Sequence, residues 1–190
     1  MISGIQCETD TAKAHTLDAE FMVEMEIFGL TTSTRTASAY ALILIEAGGS
    51  RRLPIIIGAY EAQAIALEME QIKPPRPMTH DLTMQIITDL GGQIEHIVVH
   101  HLKEGTYYAN IFIKGPISHH EVDARPSDAI ALAVRFSCPI YVDELVLEEA
   151  GVEHEENLTE EGHVNPTKKS DTSSTEEKKS PLELLHEQLQ

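Results

Sequence analysis

The chain has 190 residues, 42% of them apolar and 24% charged, with 31 acidic against 14 basic side chains and a formal net charge of −17. That length suits one domain plus extensions, with enough chain to bury a core without disulfides or structural metals. No apolar run approaches the ~20 residues of a bilayer span, the N-terminus carries no signal-peptide pattern, and Cys7 and Cys138 stand in no metal or redox spacing. Membrane proteins, secreted enzymes, zinc fingers and disulfide scaffolds are not expected on these grounds, and a reduced cytoplasmic protein is.

The charge is uneven. Residues 20–148 hold 17 acidic and 9 basic side chains, and residues 149–190 hold 11 and 4. A protein that grips nucleic acid by neutralising phosphates is usually basic on at least one face, so this balance argues against long-range attraction of DNA or RNA. From Glu153 to Lys179 the chain is Glu, Lys, Ser and Thr with almost no large apolar residue, and it cannot offset the entropy of its own ordering. The expected organisation is a flexible extension at 1–19, a folded domain at 20–150, an acidic disordered linker at 151–179 and the start of a helical segment at 180–190. In that last piece Ser180 and Pro181 suit a helix start, and Leu182, Leu185 and Leu189 follow at helical spacing.

In chain order, Phe21 to Leu30 alternates and reads as a strand. Ala39 to Ile45 and Arg51 to Ile57 are apolar runs joined by Glu46-Ala47-Gly48-Gly49-Ser50, a hairpin by its glycines. A helix follows over Ala59 to Ile72, with Glu61, Glu68 and Glu70 most simply its solvated face, until Pro74, Pro75 and Pro77 break it. A second helix runs from Thr79, read as its N-cap, with Leu82, Ile86 and Leu90 on one face, to Gly91-Gly92. Ile94 to Leu102 and Thr106 to Lys114 make another hairpin, Ile117 to Ala124 a strand, Pro126 to Ser137 a helix, and Tyr141 to Leu147 a closing strand. Strands and helices are mixed, so the fold class expected is α+β, one compact domain with a mixed sheet and packed helices.

Three groups of residues carry potential chemistry. His96 and His100 stand at zinc-chelating spacing for a helix, but their segment is β-branched and strand-like. On a strand the two would be about 13 Å apart, too far for one metal ion. The second group is Arg76-Pro77-Met78-Thr79-His80-Asp81-Leu82. His80 and Asp81 fall in the first turn of a helix, where the dipole favours an anion, and Arg76 with nearby N–H groups could hold a phosphate oxygen. The third is Asp123-Ala124-Arg125-Pro126-Ser127-Asp128, opening a helix apolar on nearly every side. So many charges entering a buried helix must pair. Either Arg125 bridges Asp123 or Asp128 as a structural lock, or the carboxylates are held ready for a metal or substrate.

Five segments resemble the bifunctional nuclease domain family: Leu53 to Gly58, Glu61 to Ala66, Arg76 to Leu82, Gly105 to Ala109 and Asp123 to Ala133. They occur in order across residues 20–150. The resemblance implies an enzyme that cleaves RNA and DNA, on a compact α+β domain that tends to self-associate. Residues 181–190 are similar to the opening of the UVR motif that many bacterial members carry after an acidic linker, which implies a possible protein partner through this segment.

Two functional expectations follow. In the first, the protein is a metal-assisted phosphodiesterase on nucleic acid. A carboxylate-rich site facing a polyanion makes sense when a divalent cation, Mg²⁺ or Mn²⁺, intervenes. Asp81, Asp123 and Asp128 are the expected ligands or ligand supports, and His80 the general acid or base. Arg76 and Arg125 would bind the scissile phosphate, with Ser127 also on the substrate. This requires the two helix starts to converge in space. In the second, the domain is a non-catalytic oligomeric scaffold or regulator whose polar clusters only lock helix starts, which suits the acidic surface and the absent tryptophan.

Overall fold

A computed structural model describes residues 21–32 and 39–153. The extension at 1–19, the linker beyond residue 153 and the segment at 180–190 lie outside the described residues.

The sheet is built from two antiparallel meanders of three strands each. One is β1 (Met22–Thr32), β2 (Ala39–Glu46) and β3 (Arg51–Gly58); the other is β4 (Gln93–Lys103), β5 (Thr106–Lys114) and β6 (His119–Ala124). Between them in the chain come helices α1 (Ala59–Met69) and α2 (Thr79–Asp89). After β6, helix α3 (Pro126–Phe136) returns the chain so that β7 (Ile140–Asp143) slots between the meanders, parallel to β4 and antiparallel to β1. Buried Ile140 and Val142 of β7 thereby join both halves of the core. Helix α4 (Glu144–Ala150) and the two-residue β8 (Val152–Glu153), paired with β3, complete a sheet ordered β6-β5-β4-β7-β1-β2-β3-β8. The domain is α+β with a mixed sheet, as its sequence pattern predicts.

One face of the sheet is buried. Leu42, Leu44, Leu53, Ile55, Ile97, Val99, Ala109 and Ile111 meet α3, whose Ala129 to Ala133 are all buried, together with α1 and α4. The sheet also curls. Tyr107 of β5 donates to the Pro54 carbonyl of β3 at 3.3 Å, although four strands lie between them in the sheet. This seam, between one end of β3, one end of β5 and the start of α3, is where one of the clefts described below opens.

Two local readings need correction. Tyr141 to Leu147 is not one strand: β7 stops at Asp143, whose carboxylate accepts the Leu145 N–H at 2.9 Å and starts α4. A side-chain cap, which satisfies an otherwise orphaned helix donor, outweighs the apolar run that follows it. The N-cap position of α2 belongs to Met78, with Thr79 the first helical residue, and the backbone N–H of Met78 donates to Asp81 at 2.8 Å. None of α2 is buried, and Leu82, Ile86 and Leu90 face outward.

Candidate active site

The two polar helix starts do meet. His80, in the first turn of α2, places Nε2 3.1 Å from Oδ1 of Asp128 in the first turn of α3. Arg125, immediately before α3, grips the same carboxylate with Nε to Oδ2 at 2.7 Å and a second N–H to Oδ1 at 3.1 Å. Its other terminal nitrogen reaches Glu61 of α1 at 3.0 Å. Sequence reasoning missed Glu61, treating it as solvated. It is 21% exposed and ion-paired, and the clue was Gly58 three residues before it: a Cβ at Gly58 would run into the Glu61 carboxylate. The glycine leaves the room in which that side chain folds back over the helix start.

Glu61 and Arg125 stand between two clefts. One, of about 350 Å³, is lined by Tyr60, Glu61, Ala64, Met78, Thr79, His80, Arg125 and Asp128. The other, of about 340 Å³, runs along the seam past Ile55 to Gly58, Gly105 to Tyr107, Arg125, Pro126 and Ser127. Volumes of this size fall at the small end of ligand sites. Ser127 is buried, and its hydroxyl makes no hydrogen bond to a described residue, which leaves a donor on the wall of the second cleft.

Protonation follows from the contacts. Burial acts to raise the Asp128 carboxyl, but the bonds from Arg125 and His80 outweigh it and hold the group below its ordinary range. An ionised carboxylate only accepts, so His80 Nε2 carries the hydrogen, and Nδ1 is the nitrogen open to a proton. The imidazole is 13% exposed and its tautomer is fixed by the carboxylate. A histidine oriented in this way by a carboxylate is the arrangement general bases use.

The remaining expected site residues go elsewhere. Asp81 lies under burial that acts to raise its pKa, but the Met78 N–H and Arg135 prevail and hold it low. Its partner is Arg135, 2% exposed, at 2.6 Å, which also donates to the carbonyls of Ala131 and Ala64 and so ties α2 to α3 and α1. Asp81 opens onto a different cleft, with Pro74, Pro77 and Arg135. Asp123 is exposed on β6, opposite Asn110, on the sheet face turned away from the core, and lines neither cleft. Arg76 is exposed and makes no ion pair among the described residues. Of the two partners weighed for Arg125, the structure selects Asp128.

A metal fares differently from a proton. Among the described residues no three His, Cys, Asp or Glu side chains converge to hold one ion. Both oxygens of Asp128 and both of Asp81 are already engaged. The residues therefore do not form a ready cation cage among themselves.

The match to known proteins covers this whole constellation. A family model described as the bifunctional nuclease domain aligns with residues 42–155. The chain belongs to the bifunctional nuclease domain family. Within it, an uncharacterised protein of Mycobacterium tuberculosis is 49% identical over 111 residues, 58% of this chain and 66% of that protein. Bifunctional nuclease 2 of Oryza sativa subsp. japonica is 29% identical over 106 residues, 54% of this chain and 33% of its own length. Bifunctional nuclease 1 of Arabidopsis thaliana is 28% identical over 107 residues, with the same coverage. The chain thus spans just under two thirds of the mycobacterial relative and a third of these plant proteins. Segments from all five sequence stretches that resemble the family contribute to the two clefts or border them. No helix among the described residues is long and apolar enough to cross a membrane.

Proposed function

We propose that the protein hydrolyses phosphodiester bonds in RNA and DNA at the cleft shared by α1, α2 and α3. The observation that carries this is the His80–Asp128 pair, 3.1 Å apart and beside Arg125, in a chain of the bifunctional nuclease domain family. His80 takes a proton at Nδ1 from the attacking water as its oxygen bonds to phosphorus, and Asp128 holds the ring and offsets the imidazolium charge. The bond from phosphorus to the leaving sugar oxygen breaks, and that oxygen takes its proton from solvent. Arg125 is 65% exposed and keeps N–H donors beyond those spent on Asp128 and Glu61, which suit two phosphate oxygens. Ser127 contacts the strand from the second cleft. A divalent ion, Mg²⁺ or Mn²⁺, enters the proposal as one that arrives with the substrate, since such ions commonly take part of their shell from water and phosphate.

The test is a nuclease assay on the full chain with labelled RNA and DNA, in Mg²⁺, Mn²⁺ or EDTA, beside His80→Ala. Turnover that disappears in a folded His80→Ala protein supports the site. Turnover equal to the unsubstituted protein removes His80 from the reaction.

A non-catalytic reading has its own observation. The molecule is acidic overall, and α2 presents Leu82, Ile86 and Leu90 to solvent. An outward apolar stripe of this kind marks an interaction surface, and self-association, which we also propose, has surface available there. If no strand is cut under any metal condition while the chain sediments as an oligomer, this second reading holds.

A further inference from the structure

Affinity for nucleic acid normally comes from phosphate neutralisation, and this cleft is poorly equipped for that. Two carboxylates, Glu61 and Asp128, face a single guanidinium there. The surrounding domain is acidic as well. A strand held in such a place needs another source of binding, and the cleft offers one. Tyr60, in the first turn of α1, stands on the wall shared with His80, Arg125 and Asp128 and is 83% exposed. Its ring has no aromatic neighbour and its hydroxyl no hydrogen bond among the described residues. The buried side of α1 is instead Ala62, Ala64, Ile65, Ala66 and Leu67. The tyrosine therefore contributes little to the core.

We infer that Tyr60 is a stacking platform for an unpaired nucleobase adjoining the phosphate at Arg125, so that the substrate class is a strand with unstacked bases. This rests on the nuclease reading above and extends it to how the strand is recognised. Stacking suits an acidic site because every base has a π-face and the contact needs no cation. A base already paired and stacked in a duplex cannot offer that face to the cleft. Binding should accordingly weaken less with added salt than phosphate-dominated binding does.

The chain contains no tryptophan, so Tyr60→Trp introduces one fluorophore at this point. The experiment titrates the full-length Tyr60→Trp protein with a twelve-nucleotide oligothymidylate and with an abasic strand of equal length, in Ca²⁺ and again in EDTA. Fluorescence anisotropy of the labelled strand measures affinity for the unsubstituted, Tyr60→Trp, Tyr60→Phe and Tyr60→Ala proteins. The expected result is quenching by the base-bearing strand and none by the abasic one. Tyr60→Ala should bind about 5- to 150-fold more weakly while Tyr60→Phe binds as the unsubstituted protein does. Equal affinity in Tyr60→Ala, or equal quenching by both strands, overturns the inference and leaves the nuclease reading standing. A lack of strand binding by the unsubstituted protein overturns both together.

Discussion

Asp81 and Asp128 occupy the same position, third residue of a helix, and each is answered by an arginine. Their surroundings differ. The guanidinium on Asp81 comes from the last turn of α3 and is 2% exposed, with two backbone carbonyls completing its bonds. The one on Asp128 comes from the residue ahead of its own helix, stands largely in solvent, and shares its carboxylate with a histidine at the edge of a cleft. The same local chemistry thus makes a fastening in one place and an open site in the other. Burial of the arginine, which a local motif does not reveal, separates the two.

The largest effect tests the fastening. Arg135→Ala leaves Asp81 without its guanidinium in a partly enclosed setting and frees two carbonyls, so unfolding in urea should show a loss of ~3–5 kcal/mol. Arg125→Ala removes the ion pairs to Asp128 and Glu61 made by a guanidinium that stands largely in solvent, and should lower stability by about 1 kcal/mol or less. Equal losses would erase the distinction between the two helix starts.

Turnover should reverse that order. If the proposed reaction is correct, His80→Ala lowers kcat by ~10²–10⁴-fold, the range of a positioned acid–base group, with only a modest change in stability. Asp123→Ala, on the far face of the sheet, should leave both rate and stability near those of the unsubstituted protein. A large rate loss in Asp123→Ala would show that the exposed edge strand takes part in the site.

Acid should also discriminate. Because Asp81 is held below its ordinary value in the fold, its stabilising contribution is present in full above about pH 4. It is lost as pH falls through the lowered folded pKa, since the unfolded chain takes up the proton first. Thermal midpoints measured from pH 7 to pH 2 should therefore fall more steeply for the unsubstituted protein than for Asp81→Asn. Asp128→Asn should flatten the same region less, its guanidinium partner being screened by solvent. Parallel curves for the unsubstituted protein and Asp81→Asn would mean that other carboxylates govern acid stability.

Most of the architecture was legible in local pattern. Alternation located β1, apolar runs joined by glycine-containing turns located β2 to β5, and the near-continuous apolar surface of Ala129 to Ala133 correctly marked α3 as the buried helix. What escaped depended on contacts distant in sequence. Arg135 lies 54 residues from Asp81, and no spacing rule joins them. Glu61 sits 64 residues before Arg125 and carried the appearance of any surface glutamate. The 48-residue separation of His80 and Asp128 was bridged only as a requirement that two helix starts converge. Nor does any spacing rule reveal which oxygens of Asp81 and Asp128 an arginine already occupies.

The smallest effect bears on how finely the open site is positioned. At Gly58 a methyl group would press on the Glu61 carboxylate, the far end of a flexible side chain, so the fold can yield with little strain. Gly58→Ala should cost only ~0.5–1 kcal/mol, mostly because alanine is a poorer residue at a helix N-cap. Displaced, Glu61 would release its hold on Arg125, and kcat/KM should change by less than about tenfold, ~1.4 kcal/mol or under. Glu61→Gln provides the control. If Gly58 acts only by making room for that carboxylate, the double variant Gly58→Ala with Glu61→Gln should have the kcat/KM of Glu61→Gln alone, because two changes acting through one contact do not add. Additive losses would instead show that the backbone at Gly58, which also lines the second cleft, meets the substrate directly.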